Sequence, residues 1–251
     1  LDPSKKGFSV EAWVFPDKGA GVVFAHGGPL NGFALTLTKS QPAFIVRSDS
    51  YVNRLTSKRI LKKEWNHVAV VLGEDLSMRM YLNGEQIAEG RSEGLLTGEP
   101  KQGFDLGMDT GSSVGNYKPD FSFTGLIDEL RVYHRELTEA EITLSVKHPE
   151  QARSRSKEAV LACTFDNGNA KDMSGKKHDG TLNGVDFGKG KVGTALWFRK
   201  SAGGGGARPK QSDSYVERDW NRAVPMFAQA MAMANDTLFV AGAPDVMDEE
   251  Y

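Results

Sequence analysis

Two carboxylates stand side by side in the run FTGLIDELRVYHRELTEAEI, Phe123 to Ile142: Asp128 and Glu129. Paired acids are what retaining glycosidic hydrolysis uses as nucleophile and proton donor, ~5 to 5.5 Å apart on one side of a sugar. They are also oxygen ligands of the kind a hard metal ion selects. Which chemistry is open depends on the element that carries them. Leu126, Ile127, Leu130, Val132 and Tyr133 around them read as a strand, and neighbours on a strand point to opposite faces. The pair is therefore expected to be split, with Glu129 facing away from Asp128 and Arg131, two residues on, as its partner.

Other reactive constellations are missing. His26, His67, His134, His148 and His178 show neither HExxH nor any paired spacing, so zinc catalysis has no support. The chain carries no Ser-His-Asp elbow, P-loop or dinucleotide fingerprint, and GKGKVG, Gly188 to Gly193, follows no strand-to-helix pattern. Cys163, the single cysteine, excludes a disulfide framework and a cysteine-rich zinc module; inside LACTF it is expected to pack as a small apolar residue. The net charge of −2 gives no long-range attraction for nucleic acid or an anionic membrane, and no apolar run reaches the ~18 to 20 residues of a membrane span.

The elements that must position any site are strands. With 251 residues, 39% of them hydrophobic, the chain can bury a sizeable core. From residue 7 to 134 it alternates short apolar segments with Gly, Pro and Asn turns: GFSVEAWVF, VVFAHG, FALTLT, AFIVRS, HVAVVL and MRMYL. This spacing predicts an all-β antiparallel sandwich or barrel. In FALTLT the period is two, which puts Phe33, Leu35 and Leu37 on one face. Asn83-Gly84 predicts a two-residue hairpin, and Thr138 to Glu141 matches a capping box that starts a short helix. Residues 147–157, KHPEQARSRSK, lack periodicity and read as a linker. EAVLACTFDN opens another strand; residues 201–214, with Gly203 to Gly206, read as a flexible connector, and 215–251 as an incomplete C-terminal segment.

Four motifs, FSVEAWVFP (8–16), EWNHVAVV (64–71), MRMYLNGEQIA (78–88) and FTGLIDELRVYHRELTEAEI (123–142), resemble the laminin G-like or concanavalin A-like lectin superfamily in its bacterial jelly-roll branch. A second stretch, 160–198, resembles the opening of the same module, although in the family that opening comes before FSVEAWV. Either the chain is a truncated tandem pair or residues 158–200 dock on module 1–146 and complete it; the second arrangement is the expectation. The tail, through TLFVAG, is similar to the entry into a β-propeller.

The resemblance implies a jelly-roll module without catalysis, binding a glycan or a protein ligand, within a larger exported polypeptide that is extracellular or periplasmic; any signal peptide would lie outside this chain. It also implies structural calcium, with Asp128 and the opening-segment residues Asp166, Asp172 and Asp179 as candidate ligands; each of those three also reads as a plain turn residue. Two alternatives stay open: a glycoside hydrolase-like enzyme on the same fold, whose E-x-D-x-x-E pattern is absent, and an accessory domain of a propeller enzyme. Because loops on a rigid sandwich carry function, candidate ligand contacts are His26 and Asn31 in one loop, Tyr51, Asn53 and Arg54 in a second, and Asp109, Ser112, Asn116 and Tyr117 in a third. Trp13 and Trp65, possible sugar platforms, read as packing residues.

Overall fold

The structure, a computed structural model, describes residues 1–118, 121–199, 226–234 and 237–244. Five strands come first: β1 (Phe8–Pro16), β2 (Gly21–Gly27), β3 (Asn31–Thr38), β4 (Gln41–Ser48) and β5 (Tyr51–Thr56). A meander of β6 (Asn66–Leu72), β7 (Ser77–Leu82) and β8 (Glu85–Arg91) follows, then the short β9 (Phe104–Leu106) and the long β10 (Gly125–Tyr133). Helices α1 (Glu139–Lys147) and α2 (Pro149–Ala152) and a 3-10 turn (Arg153–Lys157) lead into β11 (Leu161–Cys163), β12 (Asp186–Lys189) and β13 (Thr194–Phe198).

These strands make two antiparallel sheets. One runs β12-β13-β10-β1-β6-β7-β8, with β11 also paired to β10; the other runs β5-β4-β3-β2-β9. Alternation explains how they close on each other: Phe8, Val10, Ala12 and Val14 of β1 share one buried cluster with Phe33, Leu35 and Leu37 of β3. On its other face the first sheet is covered by α1, where Ala69, Val71, Tyr81 and Tyr133 pack on Leu137 and Ile142. The helix starts at the expected box: Thr138 Oγ1 accepts from the Glu141 amide and the Glu141 carboxylate accepts from the Thr138 amide. Asn83 and Gly84, with φ of 53° and 88°, make the two-residue turn between β7 and β8.

Residues 161–163 and 194–198 both ladder onto β10, pairing Leu130 with Cys163 and Ile127 with Leu196, and β12 then pairs with β13. Cys163 is buried in the inter-sheet core. The stretch 147–157, expected as a linker, is instead helical almost throughout, and Arg155 in it is buried. Its arginines are spent on buried acids of the sheet, so tertiary contacts rather than an apolar stripe hold it.

A separate unit contains β14 (Met226–Ala234) and β15 (Thr237–Pro244), an antiparallel pair with a register shift between Ala228 and Ala230. The expected connector at 201–214 lies outside the described residues.

Candidate functional site

The split of Asp128 from Glu129 that strand alternation predicts does not hold. Across β1 and β10 Glu11 pairs with Arg131 and Trp13 with Asp128, so two residues, Glu129 and Leu130, stand against one, and Glu129 takes φ of 52°. This is a β-bulge, which inserts one residue and breaks the alternation of faces. Glu129 and Arg131 do form the expected ion pair, and Glu129 also accepts from Arg153 of the 3-10 turn, with Arg153 Nε at 2.8 Å from Oε1. Arg153 Nη2 in turn lies 2.8 Å from Asp166 Oδ2. Asp128 and Glu129 are both buried. The bulge thus brings both acids to one face, where Arg131 and Arg153 hold Glu129, Arg153 reaches on to Asp166, and Asp128 stays buried beside them.

Glu11 is the member that sequence reasoning missed. It is fully buried in SVEAWVF, with Arg131 Nη1 3.5 Å, Arg155 Nη2 3.4 Å and the Tyr133 hydroxyl 3.3 Å from Oε1. His67 Nε2 lies 3.3 Å from Oε2, close but not aligned as a hydrogen bond. Burial alone would raise this carboxyl; the neighbouring His67, Arg131 and Arg155 overcome it and hold the group at about 2. A lone acid in an apolar strand, matched by arginines elsewhere in the chain, is the signal that could have found it.

The four aspartates proposed as metal ligands fall into two pairs. Asp128 and Asp166 meet at the turn 190–194, where Asp128 Oδ2 accepts from the Val192 amide at 3.1 Å and Asp166 Oδ1 from the Thr194 amide at 2.9 Å. Gly193 there has φ of 63°, and a side chain on it would strike the Asp166 carboxylate. Burial, with the charges of Glu129 and Asp166 adding to it, pushes Asp128 up to about 7. Lys191 from the same turn sits 4.1 Å over the ring of Trp13, which is buried against His67. Trp65 packs edge-on against Phe15, so both tryptophans serve packing.

Asp172 and Asp179 shape their own loop. Asp172 accepts from the amides of Ala162, Ser174 and His178 and from the Ser174 hydroxyl, and Asp179 accepts from the Asp172 amide at 2.8 Å. Burial would raise Asp172, but these hydrogen bonds outweigh it and lower its pKa. Among the described residues no group of three or more His, Cys, Asp or Glu side chains is placed to hold a metal ion. Tested on donor chemistry, Asp128 fits a hard cation, with the half-exposed Asp166 beside it, because a positive charge would offset its burial next to Glu129 and Asp166. Asp172 and Asp179 do not fit, because the hydrogen bonds of their loop already offset the burial of Asp172, whereas those to Asp128 from the Glu129 and Val192 amides do not offset its own.

The three candidate ligand loops border the five-stranded sheet, and the first and third meet at Gln102. Gly28 and Gly111 both close on the Gln102 amide with no room for a side chain. Val114, from the third loop, packs on Ala25, Ala34 and Ile45, and its carbonyl accepts from Arg47 at 3.4 Å. Within that loop the buried Asp109 accepts from the Tyr117 hydroxyl at 2.6 Å and from the Val114 amide, and burial raises its pKa. Ser112 and Asn116 are exposed. Pairing divides the second loop: Val52 stands opposite Arg47 and Arg54 opposite Ile45, which puts Arg47, Val52 and Arg54 on the Val114 face, and Tyr51 and Asn53 on the other. Asn53 accepts from the Glu93 amide, Asn31 from the amide and hydroxyl of Thr97, and His26 is buried with Nε2 2.7 Å from the Leu1 carbonyl. These three side chains hold the loops rather than face solvent.

Residues 1–143 match the family model of the concanavalin A-like lectin/glucanases superfamily, and the chain belongs to that family. No curated protein matches the chain. Solved structures that align with it include CBM40 of the Ruminococcus gnavus IT-sialidase bound to α2,3 sialyllactose, at 17% identity and TM-score 0.47 over 57% of this chain and 84% of that one. A heptameric SAP-like pentraxin from Limulus polyphemus aligns at 15% identity and TM-score 0.45, over 58% and 72% of the two chains. Domain 4 of a GH43 extracellular arabinanase from Geobacillus stearothermophilus, in complex with arabinotriose, aligns at 25% identity and TM-score 0.43, over 57% and 68%.

Proposed function

We propose that residues 1–199 form one non-catalytic binding module of a larger exported protein, completed by its own downstream segment, which takes a glycan or protein ligand on the outer face of the five-stranded sheet. The observation that carries this reading is the third loop, seated on that face and meeting the first at Gln102. Gln102 is wedged between these two loops and Val114 is seated on the sheet, which leaves exposed Arg54, Ser112 and Asn116 on a fixed backbone. Catalysis is disfavoured because both members of the candidate acid pair are buried and Glu129 is held by Arg131 and Arg153. A glycan array with the full chain, run beside a polysaccharide hydrolysis screen, tests both halves: ligand retained without turnover is expected, and product release would overturn the reading. Where calcium binds, Asp128 and Asp166 would hold it, supplying charge that fastens the turn 190–194 to β10.

A further inference from the structure

The outer face of the five-stranded sheet has a polarity that its loops do not use. Arg47 on β4 and Arg54 on β5 occupy diagonal positions on this face, since Arg47 stands opposite Val52 and Arg54 lies two residues further on. Such positions are ~7 to 8 Å apart. Neither arginine has a carboxylate within ion-pair distance among the described residues, although Arg59, Arg79, Arg131, Arg135, Arg153 and Arg155 all do. Arg47 makes one long bond to the Val114 carbonyl, and its Nε is buried without a partner. Arg54 is exposed and, among the described residues, makes no side-chain hydrogen bond.

The acids of this face are already committed elsewhere. Asp105 on β9, at the far edge of the sheet from β5, accepts from the amide and hydroxyl of Thr110, and Asp109 accepts from Tyr117. Both carboxylates tie down the loop that carries Val114. One edge of the face therefore presents two guanidinium forks with no acid at ion-pair distance among the described residues, and the opposite edge presents acids that each bond the loop through Oδ2. A planar fork matches a carboxylate in two parallel hydrogen bonds, which makes Arg the side chain suited to such a group.

We propose that the ligand of this face is an acidic oligosaccharide, whose uronic acid carboxylates are held by Arg54 and Arg47 while the polar side chains of Asn116 and Ser112 meet sugar hydroxyls. The proposal rests on the binding reading above and specifies its ligand class. A sugar fits better than a protein because Ala34 and Ile45 are buried beneath Val114, which leaves beside the arginines only the half-buried Val52, Tyr117 and Phe121, a small apolar area for a protein to anchor on; the exposed Tyr51 lies on the other side of the strand. With a net charge of −2 the recognition is local, so two contacts rather than a long polyanionic track set the affinity.

The test is isothermal titration of the full chain with short uronic acid oligosaccharides and their carboxyl-reduced counterparts, which differ only in the charged group. Tighter binding of the acidic member by tenfold or more is expected, together with a tenfold loss in Arg54→Ala that Arg54→Lys only partly restores. Circular dichroism and a melting curve for Arg54→Ala confirm that the exposed site leaves the fold intact. Equal binding of both members, unaffected by Arg54→Ala, would overturn the acidic specificity and leave the binding module standing. Equal capture of poly-glutamate would reduce the effect to bare charge and overturn it too. No binding to any member or to any neutral glycan on the array would overturn the inference and, with it, the glycan half of the module reading.

Discussion

The Val192 amide donates to Asp128 Oδ2 at 3.1 Å, and this bond fastens the turn 190–194 to the strand β10 that lies between β13 and β1 in the larger sheet. The carboxylate that receives it is buried beside Glu129 and Asp166 and titrates near 7. An acid whose folded pKa exceeds its unfolded value of about 3.9 binds more protons when folded, so it lowers stability progressively as pH rises from about 4 to 7. Asp128→Asn is therefore expected to gain stability relative to the parent at pH 8 and little at pH 4. Melting curves with chelator at both pH values check this; an equal difference at the two would sink it.

Calcium provides a second handle on the same carboxylates. If Asp128 and Asp166 take the ion, calcium should raise the melting temperature of the parent chain at pH 8, and Asp128→Asn should abolish the rise. Asp172→Asn tests the division into pairs, since its oxygens serve the loop 172–179. It should lower the melting temperature while leaving the calcium increment unchanged. A calcium increment that Asp172→Asn removes and Asp128→Asn leaves in place would reverse the assignment.

Much of the fold was legible because it is local. The alternation of Phe33, Leu35 and Leu37, the Asn83-Gly84 turn and the Thr138–Glu141 box each follow from spacing over a few residues. What stayed hidden depends on partners distant in sequence. Glu129 takes a positive φ without being Gly or Asn, so nothing in DELR announces the bulge that brings it to Arg153. Arg153 and Arg155 looked like linker residues until the acids they reach, Glu129 and Glu11, were placed. The candidate loops were legible as loops, whereas the meeting of the first and third at Gln102 and the seating of Val114 are properties of the closed sandwich.

Gly193 should tolerate no side chain. Its φ of 63° is a left-handed conformation, and a methyl group would collide with the Asp166 carboxylate that accepts from Thr194. Gly193→Ala is expected to cost about 1 to 3 kcal/mol, the range for a strained backbone position. Because the turn is what seats β13, limited proteolysis should also cut within 186–199 faster. An unchanged melting temperature with unchanged cleavage would show that the turn does not anchor the segment.

Glu11 gives the largest expected effect. Its carboxylate is shared by Arg131, Arg155 and the Tyr133 hydroxyl in a space with no solvent, so removing it leaves Arg131 with Glu129 and Arg155 with only the more distant Glu141. Breaking a buried pair from one side costs about 3 to 5 kcal/mol, so Glu11→Ala should lose that much in urea denaturation, and Glu11→Gln, which keeps the shape and one acceptor, should lose less. The pH dependence has the opposite sign to that of Asp128. Held at about 2, below its unfolded value of about 4.3, Glu11 contributes stability that is complete above pH 5 and lost as pH falls toward 2. The deficit of Glu11→Gln against the parent should accordingly shrink between pH 5 and pH 2. A deficit below about 1 kcal/mol at pH 7, within the range of ordinary surface substitutions, would mean that the arginines find other partners and that the cluster is not the fastening it resembles.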